Sequence, residues 1–435
     1  MKRAALVISL SCWAVVCPLL AREPFSLSGK SATTSAAAAG SSFPDIFESG
    51  LRAEGAFRTL DGQTALYSLR YADIENAMSF SINGAGTEAE FVIPITGFSR
   101  TFQGTDRDDL EDQLVDFLKN EGADVYRDFM EAIDQMSAVA VTDGNPSAAT
   151  ATIATSVFME NAFDAGNDEW DPKNAGGENG ARLIGAYPEF SVLSAAGFDG
   201  TSWGYEVPLP RGQFGESRVG YKFSMPLRYR DIEGAKSGSA GLSMSFPVQI
   251  KKPVYQEERI EDGAGDRKIY RPRTNGLIWR MTPSVSGVGA GSADFAAGSL
   301  LTAGALSSSA EYKFSDKFRA TLGNQFTMIE GVSDLSVQGY DVGSEVSQQM
   351  TKTGVHLAWS PRVSHTLAAY TIFSAFLQDA AIPEFFTFGF EYSYLPSVLK
   401  EEGLNPVLTL RGYADVADEK DYEAYGIRVG AGFVF

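Results

Sequence analysis

Residues 425–435 read YGIRVGAGFVF and close the chain. The odd positions Tyr425, Ile427, Val429, Ala431, Phe433 and Phe435 are apolar. Gly426, Arg428, Gly430 and Gly432 between them are small or charged, with Val434 the exception. Apolar residues at every second position mark a strand with one apolar face. A soluble domain rarely leaves such a strand at a fraying terminus. The same period recurs upstream in FTFGFEYSY, where Phe386, Phe388, Phe390, Tyr392 and Tyr394 share one face and Thr387, Gly389, Glu391 and Ser393 the other. Five aromatics in register facing water would be an aggregation hazard. Facing lipid, with the tyrosines at the interface, they are well accommodated; the core of a β-sandwich is the other environment that takes them.

The opposite end constrains the reading further. Lys2 and Arg3 precede the apolar run AALVISLSCWAVVCPLLA, which ends on Ala21. A basic start, an apolar centre and a small residue predict a cleaved signal peptide over 1–21. An uncleaved anchor is the alternative, disfavoured by the short run, as is lipid attachment at Cys17, disfavoured by the bulky Val16 before it. Cys12 and Cys17 are the only cysteines, so an exported chain would carry no disulfide and no thiolate metal site. Beyond residue 21 no run of about 18 apolar residues occurs, which excludes a spanning helix. With 44 Gly, 29 Phe and 17 Tyr, the composition suits a membrane barrel, in which only alternate residues face lipid. A formal charge of −19 argues against nucleic acid as a partner, since phosphate binding needs a basic face.

Read backwards from the C-terminus, the period-2 segments pair into hairpins. GVHLAWSP and HTLAAYTIFSAFL flank SPRVS, and SSSAEYKF and FRATLGNQFTMI flank SDK. The polar stretch GVSDLSVQGYDVGSEVSQQM separates them, so short and long connections alternate as in outer-membrane barrels. With Phe435 at the periplasmic end, 415–423 and 332–349 become outer loops and 360–364 an inner turn; LPSVLKEEGLNP is long for an inner turn. RVGYKFSMPLRYR, GLSMSFPVQIKK and LIWRMTPSVSGVG are further candidate strands. FVIPI, YEVPLP, FSMPL and SFPV share a loose aromatic–Pro–aliphatic pattern, in which proline marks an edge, bulge or kink. The expectation is an all-β barrel whose main part spans 166–435, with early strands or a hatch over 51–104 and a flexible, Ser/Ala/Gly-rich segment over 22–50.

Residues 105–165 follow another rule. Leu110, Leu114, Phe117 and Leu118, then Phe129 and Ile133, recur at helical spacing, with Asp106 and Asp108 as N-cap candidates. Asn145 and Pro146 then suit the cap and first turn of another helix. Acidic amphipathic helices cannot form barrel wall, so this segment is a plug, a periplasmic cap or an outer domain.

Enzyme signatures are lacking. SGKSATT resembles a phosphate loop, but Pro24 stands where its leading glycine should be. No Gly-x-Ser-x-Gly elbow occurs. The two histidines, His356 and His365, flank the SPRVS turn; paired across it, both would point inward, where two ligands without nearby carboxylates are too few for a metal. Glu391, Arg411 and Arg428 all fall on the polar parity of the last three strands and should project side by side into the lumen. They could bind a substrate carboxylate or set selectivity, or brace the wall as a structural ion cluster.

An exported chain with the signal at 1–21, barrel-like strands from about 215 and the closing YGIRVGAGFVF resembles bacterial outer-membrane barrels. Within these it is similar to the long-chain fatty-acid transporters of the FadL type, and in particular to the related outer-membrane proteins of treponemes. The resemblance implies about fourteen antiparallel strands, an N-terminal hatch in the lumen, and passive uptake of hydrophobic molecules without a cofactor. Its implied partners are outer-membrane lipid and the barrel-insertion machinery, which would read Tyr425, Ile427, Val429, Phe433 and Phe435. The family hatch carries an Asn-Pro-Ala turn soon after the signal; here the nearest match is Asn145-Pro146-Ser147-Ala148, far downstream. The alternative is a surface adhesin or structural barrel that meets a host ligand through 251–274 or 332–349.

Overall fold

The computed structural model describes residues 22–120, 122–163 and 183–434, apart from 210–211, 215–217, 252–254, 263–264, 273–275, 316, 334–335, 338–339, 342–345, 363–364 and 395–404. Residues 1–21, expected to be a signal peptide, Phe435 and the centre of LPSVLKEEGLNP lie outside the described residues.

The first layer is a six-stranded antiparallel sheet. Strands β1 (Phe25–Ser31), β2 (Ser35–Gly40), β3 (Ala65–Tyr71), β4 (Ile74–Ile82), β5 (Glu88–Ile93) and β6 (Phe98–Gln103) run in the order β2-β1-β3-β4-β5-β6. Helices α1 (Phe43–Leu51), α2 (Arg107–Lys119) and α3 (Ala123–Met136) complete this N-terminal domain. Its core joins Phe25, Leu27, Phe47, Tyr67 and Phe80 from the first strands and α1 to Leu114, Phe117 and Phe129 from α2 and α3. Asp106 caps α2, accepting from the Asp109 N–H at 3.0 Å. The 22–50 segment, expected to be loose, is thus two strands and a helix, because its alternate apolar residues are buried against β3. Residues 51–104 form strands of this domain and none of the barrel.

The second layer is a closed antiparallel barrel of twelve strands: β7 (Leu183–Ala195), β8 (Phe198–Pro208), β10 (Gly220–Ile232), β11 (Ala235–Ser245), β15 (Leu277–Ser292), β16 (Ala297–Lys313), β17 (Phe318–Ser333), β20 (Ser347–Arg362), β21 (His365–Phe376), β22 (Glu384–Tyr394), β23 (Asn405–Ala417) and β24 (Tyr422–Val434). Pairing of β24 with β7 and of β11 with β15 closes the ring. The short β9 (Gly212–Gln213) adds to β10, and β12 (Val248–Lys251) continues β11 along β15 past Phe246 and Pro247. Hairpins β13–β14 (Tyr255–Asp262, Gly265–Pro272) and β18–β19 (Ser336–Val337, Tyr340–Asp341) form small sheets of their own. The ring therefore holds twelve strands where the family resemblance implied fourteen; the early alternating segments are spent on the N-terminal sheet. No described helix is long and apolar enough to cross a membrane.

The wall alternates as period 2 requires. Phe386, Phe388 and Phe390 are 44%, 51% and 55% exposed, and Tyr425, Ile427 and Val429 are 50%, 57% and 52% exposed. With Trp203, Trp279, Leu306, Leu322 and Trp359 they make an apolar outer surface around the ring. Exposed apolar area on this scale belongs against lipid. The two-residue turns Ala196-Gly197 and Glu233-Gly234 have positive φ at both positions, as tight hairpins demand.

Candidate functional site: the barrel lumen

A row of charges crosses the inner wall. Glu391 on β22 pairs in register with Arg411 on β23, Arg411 with Arg428 on β24, and Arg428 with Glu189 on β7. Glu189 stands opposite Gly204 on β8, and Gly204 opposite Arg228 on β10. Six consecutive strands thus present Glu, Arg, Arg, Glu, Gly and Arg at one level. The side chains close into pairs: Arg411 donates to Glu391 at 2.6 Å, Arg228 to Glu189 at 3.0 Å, and Arg428 to Glu206 at 2.6 Å. Glycine at 204 lets Arg228 reach across β8 to Glu189, and the Tyr413 hydroxyl donates to the same carboxylate at 2.8 Å.

The structure brings Glu391, Arg411 and Arg428 onto one side of the lumen, as their parity predicts. Sequence reading missed Glu189, Glu206, Arg228 and Tyr413. A signal was present: in YPEFSVL, WGYEVP and PLRYRDI the charges alternate with Phe190, Tyr205 and Tyr229, which face outward. What the sequence did not show was that β7, first of the barrel strands, lies beside the last.

The closing strand packs by complementarity of glycine and tyrosine. A Cβ at Gly426 would overlap the Tyr413 ring, and one at Gly430 the Tyr187 ring and Thr409 hydroxyl. The Tyr187 ring in turn lies under the Arg428 guanidinium, 5.0 Å from it. Gly426 and Gly430 of YGIRVGAGFVF are seats for neighbouring aromatic rings.

The histidines part company. His356 stands opposite Tyr370 and is buried inside, its ring stacked 5.1 Å from Phe163. His365 lies on the outer face beside Tyr392 and Tyr394, and its Nδ1 is 2.7 Å from the Tyr392 hydroxyl. The expectation that both point inward fails because His356 pairs with Tyr370, five residues beyond His365, and an odd offset in register exchanges the two faces. Tyr392 and Tyr394 themselves are half-buried on the outer face, while the side chain of Phe433 lies outside the described residues.

Helix α4 (Ala149–Phe158) and the π-turn Met159–Phe163 lie against the opposite inner wall. Gln325 on β17 donates to Ala154 O at 2.8 Å, and Ser309 on β16 donates to Ala162 O at 3.1 Å. Asn161 donates to Ser245 and Ser284 at 3.2 and 2.9 Å, and Lys222 reaches Glu160 O at 2.9 Å. The helix starts later than expected: Asn145 accepts from the Ser147 N–H in a local turn, and Ala148 is the N-cap. Small inward residues on β11, β15 and β16, among them Ser243, Ser286 and Ser307, make room for it.

Between α4 and the charged row remains a cavity with about 980 Å³ of non-atom space, open solvent included. Ile153, Met159, Pro226, Val288 and Ile372 give it apolar surface; Arg228, Arg411, Arg428, Glu189 and Glu206 give it charge. The β10–β11 ladder passes from Ser224–Ser243 directly to Leu227–Ala240, skipping Met225 and Pro226 beside this cavity.

No protein-family model matches the chain, and no curated protein does. Solved barrels are similar in architecture. An outer membrane channel from Pseudomonas putida F1 is 14% identical with a TM-score of 0.40, covering 61% of this chain and 99% of its own. The translocator domain of the autotransporter NalP from Neisseria meningitidis is 12% identical with a TM-score of 0.39, covering 66% and 98%. The CymD monoaromatic hydrocarbon channel is 8% identical with a TM-score of 0.33, covering 65% and 96%. At these values the likeness is one of general barrel architecture.

Proposed function

We propose that the chain is an outer-membrane barrel for passive uptake of hydrophobic small molecules that carry an acidic head, long-chain fatty acids being the class the sequence resemblance implies. The two-sided cavity carries this reading. An apolar chain can lie along Ile153, Met159, Val288 and Ile372 while its carboxylate exchanges with Glu189, Glu206 or Glu391 for an arginine of the row. No covalent step is needed. Helix α4 is the plug, and the skipped pairs at Pro226 are the weak seam through which cargo could leave sideways. In this reading lipid meets the aromatic outer face, and the insertion machinery reads the outward residues of β24 together with Phe435. Deleting Phe435 should impair assembly before it impairs transport.

The test is uptake of a labelled long-chain fatty acid by proteoliposomes holding the full chain or a form lacking 149–163. The shortened form should pass the probe faster. Uptake by neither assembled form would refute the reading.

The alternative is a surface barrel acting through its loops. Like the β18–β19 hairpin of 332–349, the β13–β14 hairpin of 251–274 pairs with no other described strand. It joins the barrel at the end holding residues 183 and 434, whereas 332–349 joins at the other, so only one of the two can face outward. Ligand binding by the hairpin grafted onto a carrier would support it.

A further inference from the structure

The barrel has two unlike ends. At one, β7 begins and β24 finishes, with Val434 paired to Leu183. At the other lie the turns 196–197, 233–234, 293–296 and 418–421, and the N-terminal domain is docked on them. The Phe43 N–H donates to Asp294 O at 2.8 Å, the Tyr71 hydroxyl to Phe295 O at 2.6 Å, and the Tyr126 hydroxyl to Ala296 O at 3.0 Å. Lys420 pairs with Asp73 at 2.9 Å. Phe295 itself is buried in the aromatic core of the domain, 5.3 Å from Phe25. Near these turns the outer wall changes from apolar to charged, with Lys236, Glu330, Glu384 and Glu423 exposed. The apolar band therefore stops short of the domain, which lies beyond the bilayer.

The chain must travel from this domain to Leu183 at the far end. Residues 149–163 of this path lie in the lumen, where α4 and the π-turn hydrogen-bond with Gln325, Ser309, Ser245 and Ser284. The domain and the start of the first barrel strand, Leu183, are thus at opposite ends of the barrel. An antiparallel barrel with an even number of strands keeps both its ends on one side. Assembly from the periplasm then needs only hairpin tips to cross, so residues 183 and 434 stay on the inner face.

The geometry points to display of the N-terminal domain, residues 22–140, on the external face. The domain has passed through its own barrel, and α4 is left in the lumen as its tether. This rests on the outer-membrane reading but not on any cargo. It replaces the loops by a folded domain as the part that meets the outside.

Single cysteines decide it, since Cys12 and Cys17 are the only native ones. The full chain is expressed in a diderm bacterium as Leu66→Cys, on the domain and 58% exposed, or as Lys317→Cys, in an exposed turn at the other end. Intact cells are treated with a membrane-impermeant maleimide, and the parent chain gives the background. Heat-dependent gel mobility of the outer-membrane fraction shows that each barrel has assembled; Glu88→Cys stands in for Leu66→Cys if that variant does not. Display predicts labelling of the domain cysteine in intact cells, and loss of labelling at residue 317 until the outer membrane is permeabilised. An assembled domain cysteine protected in intact cells overturns the proposal. Failure of fatty-acid uptake leaves this result untouched, and a barrel absent from the outer membrane would refute the location itself.

Discussion

Replacing Gly426 by alanine tests how the closing strand is built. The new Cβ would overlap the Tyr413 ring, whose hydroxyl holds Glu189 at 2.8 Å. The ring can yield only by leaving that carboxylate. Overpacking of this kind costs about 1–3 kcal/mol, and a lost hydrogen bond to a charged group adds about 1.5–3 kcal/mol. Alanine recovers about 0.5–1 kcal/mol of backbone entropy relative to glycine. The net expectation is about 2–5 kcal/mol of destabilisation. The assay is unfolding of the detergent-solubilised barrel in denaturant, for Gly426→Ala, Tyr413→Ala and the double variant. With the ring removed, alanine at 426 should be neutral or stabilising by up to about 1 kcal/mol, so the cycle has a large coupling term. An equal cost of Gly426→Ala in both backgrounds would refute the seating of Tyr413 on the closing strand.

Other parts of the molecule make their own predictions. Arg411→Gln strands the largely buried Glu391 and should cost about 3–5 kcal/mol, most of it recovered when Glu391→Gln is added; no recovery would mean the two do not act as a pair. Phe388→Lys puts a charge on the exposed apolar wall and should cost about 2–4 kcal/mol in a lipid bilayer, whereas a cost near zero would place that face away from lipid. At the barrel mouth, burial first and then nearby Asp143 and Glu131 hold the Asp134 carboxyl well above the usual carboxylate range, against N–H donors of Asp143 and Thr142. The folded chain then keeps a proton that the unfolded chain releases above its ordinary value of 3.8. The contribution is fully present below that value and declines as pH rises through the raised one. Asp134→Asn should flatten the fall of unfolding midpoint with rising pH, part of which remains because Asp143 is also raised; an unchanged slope would contradict the burial of this charge.

The barrel was legible where one strand face meets lipid, because that face must be apolar at every second residue. Phe386 to Tyr394 and Tyr425 to Val429 declare it without help from the rest of the chain. The N-terminal sheet was less legible for the same reason: Phe25, Leu27 and Phe91 also alternate, but toward a protein core, and period alone does not name the solvent on the apolar side. Inward parity found Glu391, Arg411 and Arg428. It could not find their partners Glu189 and Glu206, since ring closure brings together residues more than two hundred positions apart. His365 was misplaced because the SPRVS turn does not declare the hairpin register: His356 lies opposite Tyr370, an odd number of residues from His365. The position of α4 left only a faint trace, the serines at inward positions of β16 in ALSSSAEYK.

That trace connects the two halves of the lumen. Beside α4 the inward residues Ser243 and Ser245 on β11, Ser284 and Ser286 on β15, and Ser307 and Ser309 on β16 are small, with Arg280 and Glu311 the long exceptions, and on β7, β22, β23 and β24 the inward residues include Tyr187, Glu189, Glu391, Arg411, Tyr413 and Arg428. A twelve-stranded ring has too little interior for a helix ringed by long side chains on every side. Crowding one wall with ion pairs therefore requires the opposite wall to be serine. The helix must present small residues in return, and α4 reads ATATIATSVF. Its Ser156 hydroxyl lies 3.5 Å from Glu206, the partner of Arg428, so tether and charged row touch. A substitution that enlarges the serine wall, such as Ser307→Leu, should push α4 toward the ion pairs and weaken both, while an equal enlargement on the outer face at Leu306 should do neither. Equal effects at 306 and 307 would mean that the helix is not seated on that wall.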